Sequence, residues 1–152
     1  MLNIGDSAPD FEVTDAQGKQ VKLEDFRGKK VFLWFFPKAS TPGCTVEGCG
    51  LRDEYAQFRA KNIEIVGVSK DGPKRQAKFA KAQKFPFTML CDEEGTMVQA
   101  YGAWGKKVFL GVERMGILRI SYLIDEKGVV ERTWSKVKTR THATDVLAEL
   151  ES

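Results

Sequence analysis

Val31-Phe32-Leu33-Trp34-Phe35-Phe36-Pro37-Lys38-Ala39-Ser40-Thr41-Pro42-Gly43-Cys44 is the stretch that decides the fold. Its first six residues form an unbroken apolar run, the pattern of a strand buried on both faces of a sheet. Pro37 ends the strand, because proline has no amide hydrogen for the ladder. Ser40-Thr41-Pro42-Gly43 supplies a tight loop. From about Thr45 to Lys61, Tyr55 and Phe58 fall on one helical face among Arg52, Asp53, Glu54, Gln57 and Arg59. A buried strand that runs through a short loop into a helix is the repeating unit of layered α/β domains.

The flanking sequence extends this pattern. Ile63 to Val68 reads as a second buried strand. Pro73 opens a lysine-rich helix that ends near Lys84, and Phe87 to Cys91 reads as a third strand. Lys74, Arg75, Lys78, Lys81 and Lys84 on that helix are read as a solvated face. A short helix is expected over Met97 to Tyr101. A hairpin is expected from Ile117–Ile124 through Asp125-Glu126-Lys127-Gly128 to Val129–Trp134, then a helix from His142 to Leu150. Upstream, Phe11–Thr14 and Lys19–Leu23 flank Asp15-Ala16-Gln17-Gly18 as an N-terminal β-hairpin on a sheet edge. The expected fold is α/β, with helices on both faces of a central mixed sheet, in one domain spanning 1–152.

Composition narrows the function. The chain has 152 residues, with 24 Lys plus Arg against 21 Asp plus Glu, a net charge of +3. That charge is too small and too spread out to indicate a nucleic-acid partner. With 42% apolar residues the chain can build a core, which excludes disorder. The start Met1-Leu2-Asn3-Ile4-Gly5-Asp6 lacks the pattern of a secretory signal. The longest apolar run falls far short of the roughly 20 residues that span a bilayer. A cytoplasmic protein with no membrane partner is expected. In that reducing setting cysteines are used for chemistry or metal binding more than for structure.

The chain has three cysteines. Cys44 lies at the expected first turn of a helix, where partial positive charge and free amides favour a thiolate. Cys49 follows five residues later. In an ideal helix their Cα atoms stand roughly 8.7 Å apart. A disulfide needs about 4.4–6.8 Å, so any pairing of the two requires this turn to unwind. Gly48 and Gly50 lower the cost of unwinding. Cys91, inside an apolar strand, is expected to be a buried thiol. A single C-x4-C with one distant histidine is a poor zinc site, so no metal is expected. His142 is expected at the surface near the start of the last helix.

Phe36-Pro37-Lys38-Ala39-Ser40-Thr41-Pro42-Gly43-Cys44-Thr45 resembles the active-site loop of peroxiredoxins, P-x-x-x-T-x-x-C, with Pro37, Thr41 and Cys44 at the fixed positions. Thr-Pro-Gly-Cys-Thr with a second cysteine five residues on resembles the bacterioferritin comigratory protein or peroxiredoxin Q branch. The likeness continues through Gly5–Phe11, Leu51-Arg52-Asp53 and Gly116–Asp125, nearly the whole chain. It implies a thioredoxin-like fold and a cofactor-free, thiol-dependent peroxidase acting on hydrogen peroxide and organic hydroperoxides. Cys44 would be the peroxidatic cysteine, passing through a sulfenic acid, and Cys49 the resolving cysteine of an intramolecular disulfide. Thr41 would bond the thiolate and the peroxide, Pro37 would shield the thiolate, Arg119 would add positive charge, and Glu47 would hold Arg119. Thioredoxin, or in some relatives glutaredoxin, would reduce the disulfide, and the branch is often monomeric.

Some relatives carry the resolving cysteine in the next helix, where this chain has Phe79-Ala80-Lys81-Ala82. By residue pattern alone, Arg119 reads as a solvent-facing strand residue, Thr41 as a loop hydroxyl and Glu47 as a first-turn charge. Two other functions stay open at this level: a thioredoxin-like disulfide oxidoreductase, which the missing C-x-x-C disfavours, and a non-catalytic redox sensor.

Overall fold

The computed structural model describes residues 1–151. Its strands are β1 (Glu12–Thr14), β2 (Gln20–Lys22), β3 (Lys30–Phe35), β4 (Ile63–Ser69), β5 (Thr88–Cys91), β6 (Trp104–Phe109), β7 (Val112–Ile117), β8 (Ser121–Ile124) and β9 (Val130–Trp134). Its helices are α1 (Pro42–Asp53), α2 (Tyr55–Ala60), α3 (Pro73–Gln83), α4 (Thr96–Ala100) and α5 (His142–Glu151), with a 3-10 turn at Leu23–Phe26.

The apolar run that begins at Val31 lies at the centre. The main sheet has the order β5-β4-β3-β8-β9. β3 and β4 run parallel, as do β4 and β5, while β8 is antiparallel to both β3 and β9. Side chains alternate across β3. Val31, Leu33 and Phe35 enter one core with Met97 and Val98 of α4, and Phe32 and Trp34 enter the other with Leu51, Phe58, Phe79 and Val146 from α1, α2, α3 and α5. The sheet is therefore mixed and covered on both faces, because a strand without polar alternation needs two apolar surroundings.

The N-terminal hairpin docks on the β5 edge, where Ala16 N donates to Met89 O at 3.0 Å. Its turn is built by Asp15, whose Oδ1 accepts from the amides of Gln17 and Lys19 at 2.9 Å each. The basic residues of α3 face solvent, while Gln76 and Phe79 on its opposite side are buried.

The structure departs from the sequence reading at four places. The expected helix over 45–61 starts earlier, at Pro42, whose fixed φ suits a first helical position. It also breaks at Glu54, and the turn there lets Phe58 of α2 reach Phe32, with ring centroids 5.4 Å apart. The expected strand from Ile117 to Ile124 does not exist as one piece. Ile117 closes a separate hairpin, β6–β7, and Leu118–Ile120 form a joint before β8. The period-2 alternation was misleading because every residue of β8, Ser121 included, is buried. His142 is not at the surface: it is only 3% exposed, and its Nε2 lies 3.0 Å from Ser121 Oγ.

A candidate thiol redox centre

The loop between β3 and α1 is fixed from outside. Ala39 N donates to Asp71 Oδ2 at 2.7 Å, and Ser69 Oγ donates to the same oxygen at 2.7 Å. The end of β4 thus holds the loop that presents Cys44. Ser40 turns the chain with φ +65°, and Thr41 is extended before the helix starts. Cys44 is the third residue of α1 and fully buried. Among the described residues no side chain caps this helix end, so its first-turn amides keep their partial positive charge beside Cys44.

Arg119 reaches this helix from the joint between β7 and β8. Its Nη2 donates to Cys44 Sγ at 3.5 Å and its Nη1 to Glu47 Oε1 at 2.6 Å. Cys44 and Glu47 are one turn apart on α1, so a single guanidinium spans both. Gly43 leaves room for it, since a Cβ there would stand 3.2 Å from Arg119 Nη2. Burial works against the charge of Arg119, and Cys44 and Glu47 together outweigh it, holding the guanidinium above its ordinary pKa.

Glu47 is 1% exposed, and its Oε2 has no hydrogen-bond partner among the described residues. Burial pushes its carboxyl up to about 7 against the pull of Arg119. Lys107, half-buried on β6, is pushed down by burial and by Arg119, with Cys44 acting in the opposite sense. Pro37, Lys38, Lys107 and Met115 line a groove of about 710 Å³ between the loop and the β6–β7 hairpin.

Of the six residues expected at the site, Cys44, Arg119 and Glu47 are bonded into one group. Thr41 borders it, but its hydroxyl donates to Lys38 O at 2.7 Å. With its one proton committed there, Thr41 Oγ1 offers lone pairs and does not donate to sulfur. Pro37 forms part of the groove wall. Cys49 lies farther along the same helix, half-buried, and its Sγ donates to Gln83 Oε1 at 3.3 Å. Cys44, Cys49 and Cys91 are all free thiols. Cys91 is buried as expected, and burial first, then Glu93, Asp15 and Asp71, push its thiol up to about 12, which leaves it unreactive. Among the described residues no group of His, Cys, Asp or Glu is arranged to hold a metal ion. Sequence reasoning missed Asp71, Lys107 and Gln83, whose importance comes entirely from contacts across the fold.

A buried helix-terminal cysteine touched by a guanidinium, on a sheet of this order, defines a thiol-dependent redox enzyme. The profile of the AhpC/TSA family matches residues 4–133, and the chain belongs to that family, within its Bcp/PrxQ peroxiredoxins. Peroxiredoxin Bcp of Escherichia coli K12 is 42% identical over 146 residues, covering 96% of this chain and 94% of the relative. A cysteine-to-serine variant of Xylella fastidiosa PrxQ superposes with a TM-score of 0.92 at 28% identity, over 99% of this chain and 96% of that one. The Xanthomonas campestris bacterioferritin comigratory protein, described for its alkyl peroxide reduction activity, gives 0.86 at 32% identity, over 93% and 90%. The fold is accordingly that of thioredoxin-like peroxiredoxins, and the protein is a thiol-dependent peroxidase.

Proposed function

We propose that Cys44 is the peroxidatic cysteine and Cys49 the resolving cysteine of an intramolecular cycle. The observation that carries this reading is the Arg119 guanidinium 3.5 Å from Cys44 Sγ at an uncapped helix N-terminus. The Cys44 thiolate attacks one peroxide oxygen, the O–O bond breaks, and the departing alkoxide or hydroxide takes a proton to leave as alcohol or water. Arg119 and the first-turn amides stabilise charge on sulfur and on the oxygens as the bond breaks. Thr41 Oγ1 accepts a hydrogen bond from the peroxide, and Pro37 screens the sulfur from bulk water. Glu47 orients Arg119.

The Cys49 thiolate then attacks the sulfenic sulfur, an S–S bond forms and hydroxide leaves. Because both cysteines belong to α1, the helix must open between them, since about 8.7 Å separates Cα atoms at this spacing. A dithiol protein such as thioredoxin, or glutaredoxin, restores the pair. The groove beside Pro37 supports organic hydroperoxides as substrates together with hydrogen peroxide, and the X. campestris relative is described for that activity. We place the enzyme in the cytoplasm as a monomeric single domain.

The test is peroxide consumption coupled to thioredoxin, thioredoxin reductase and NADPH. Cys44→Ser should abolish turnover, and Cys49→Ser should form one sulfenic acid per chain and stop. Normal turnover by Cys44→Ser would end this reading.

A further inference from the structure

The far side of α1 is held by one residue of α3. Cys49 Sγ donates to Gln83 Oε1 at 3.3 Å, and Arg52 Nη1 donates to Gln83 O at 2.7 Å. Two points one helical turn apart are thus tied to the same residue. Beside them the helix sits on an aromatic ring with no clearance. A Cβ on Gly48 would fall 2.4 Å from Phe85 Cζ and 3.0 Å from Trp34 Cη2. The support is stiff, because Lys84 takes φ +55° and Phe85 N donates back to Ala80 O at 2.9 Å, closing the end of α3.

We propose that Gln83 is a positioning residue that parks the Cys49 thiol on α3. It thereby sets how oxidised Cys44 divides between disulfide formation and further oxidation. The inference rests on Cys49 being the resolving cysteine. Cys49 attacks as the thiolate, so it must lose the proton it shares with Gln83 Oε1 and leave that oxygen as α1 opens. While it is parked, a second peroxide can reach the Cys44 sulfenate. That step gives a sulfinate and water or alcohol, adds one oxygen to sulfur and breaks one O–O bond. Formation of the disulfide instead releases hydroxide, which takes up the Cys49 proton as water. The strength of the hold on Cys49 therefore decides the peroxide concentration at which the enzyme inactivates itself.

The hold can be tuned in both directions. Gln83→Leu removes the side-chain acceptor while keeping the bulk and the backbone carbonyl used by Arg52. Gln83→Glu replaces the amide with a carboxylate, a stronger acceptor for the thiol that also attracts Arg52. Stopped-flow tryptophan fluorescence reads disulfide formation after a peroxide pulse, and mass spectrometry reads the sulfinate fraction against peroxide concentration. Loss of a single hydrogen bond corresponds to about a three- to ten-fold change. Gln83→Leu should speed resolution by about that factor and raise the inactivating peroxide concentration in proportion. Gln83→Glu should shift both readings the opposite way, a reversal that a purely structural role does not produce. If the leucine variant does not fold, the slower resolution of Gln83→Glu carries the test alone. Unchanged or same-direction shifts overturn the proposal. Wild-type protein that forms no Cys44–Cys49 link after peroxide overturns the resolving role of Cys49 itself, a result separate from any behaviour of the Gln83 variants.

Discussion

Arg119 Nη2 stands 3.5 Å from Cys44 Sγ, although 75 residues separate the two in sequence. The same guanidinium holds Glu47, so a joint between two strands and the first turn of a helix become one electrostatic unit. Buried Cys44 and Glu47 and the half-buried Arg119 depend on one another there, and the consequences can be measured.

Arg119→Met removes the donor on sulfur and leaves the Glu47 carboxylate buried without its partner. The rate constant for peroxide reduction should fall by about 10²–10³, the usual cost of deleting a preorganised donor. Stability should also fall, but by less than the cost of an unpaired buried charge, because without Arg119 burial pushes the Glu47 carboxyl further up and it takes a proton. Stopped-flow kinetics and urea unfolding report the two losses separately. A variant that kept wild-type kinetics would remove Arg119 from the chemistry.

Glu47 carries a pH signature of definite sign. Its carboxyl ionises near 7 in the folded protein, against an ordinary value of 4.5. The stability this neutral group contributes is full below 4.5 and is lost as pH rises through 7. Glu47→Gln has no such dependence. Between pH 4.5 and 8, its stability relative to wild type should rise by up to about 3 kcal/mol. A constant difference in unfolding free energy across that range would contradict the assignment.

His142 acts in the opposite sense. Burial pushes its imidazole down to about 4 from 6.5. The neutral ring stabilises the fold above pH 6.5, and that contribution is lost as pH falls through 4, on the order of 3 kcal/mol in all. His142→Gln should unfold at a lower pH than the native protein in an acid titration followed by circular dichroism. Coincident acid transitions would show that His142 is not the group responsible.

Gly48 and Gly50 flank Cys49 but have different structural roles. A methyl at Gly48 collides with Phe85, so Gly48→Ala should cost about 1–3 kcal/mol and lower Tm. At Gly50 the nearest atom to a new Cβ is Ala143 Cβ at 3.9 Å, ordinary contact. Gly50→Ala should therefore be neutral, or stabilise by up to about 1 kcal/mol through helix propensity. Differential scanning calorimetry of both variants decides this, and equal shifts would refute it.

The β6–β7 hairpin turns on Leu110 at φ +52° and Gly111 at φ +78°. Leucine is a poor residue for a left-handed position, and this one is 87% exposed, so its side chain gains little in return. Leu110→Asn should stabilise the protein by about 1 kcal/mol. A lower melting temperature for this variant would mean that Leu110 makes contacts outweighing its strain.

The β6–β7 hairpin also shows where sequence reading ran short. Its strands mix Lys106, Lys107, Glu113 and Arg114 with exposed Val108, Val112 and Met115, and Leu-Gly does not announce a tight turn. Without a signal for the hairpin, the pattern joins Ile117 to the following strand and turns Arg119 towards solvent. By pattern the residue is ordinary, and only its likeness to a family motif marked it. The burial of His142 is illegible for a related reason, because a lone histidine near threonines gives no sign of the Ser121, Phe32 and Trp134 that enclose it.

Local chemistry determined the central strand, the loop and the helix-terminal cysteine. An unbroken apolar run, Pro37 without an amide hydrogen and Pro42 at a first helical position act within a few residues of one another. The five-residue spacing of Cys44 and Cys49 likewise set the need for unwinding, because helix geometry is the same in any helix. Tertiary structure alone decided which groups surround those thiols. Arg119 reaches Cys44 because the chain breaks its strand at Leu118–Ile120. Gln83 reaches Cys49 because α3 packs beside α1, and Glu47 takes its raised pKa from burial. Such contacts join residues distant in sequence, and their strength depends on solvent exclusion, which exists only once the layers have closed.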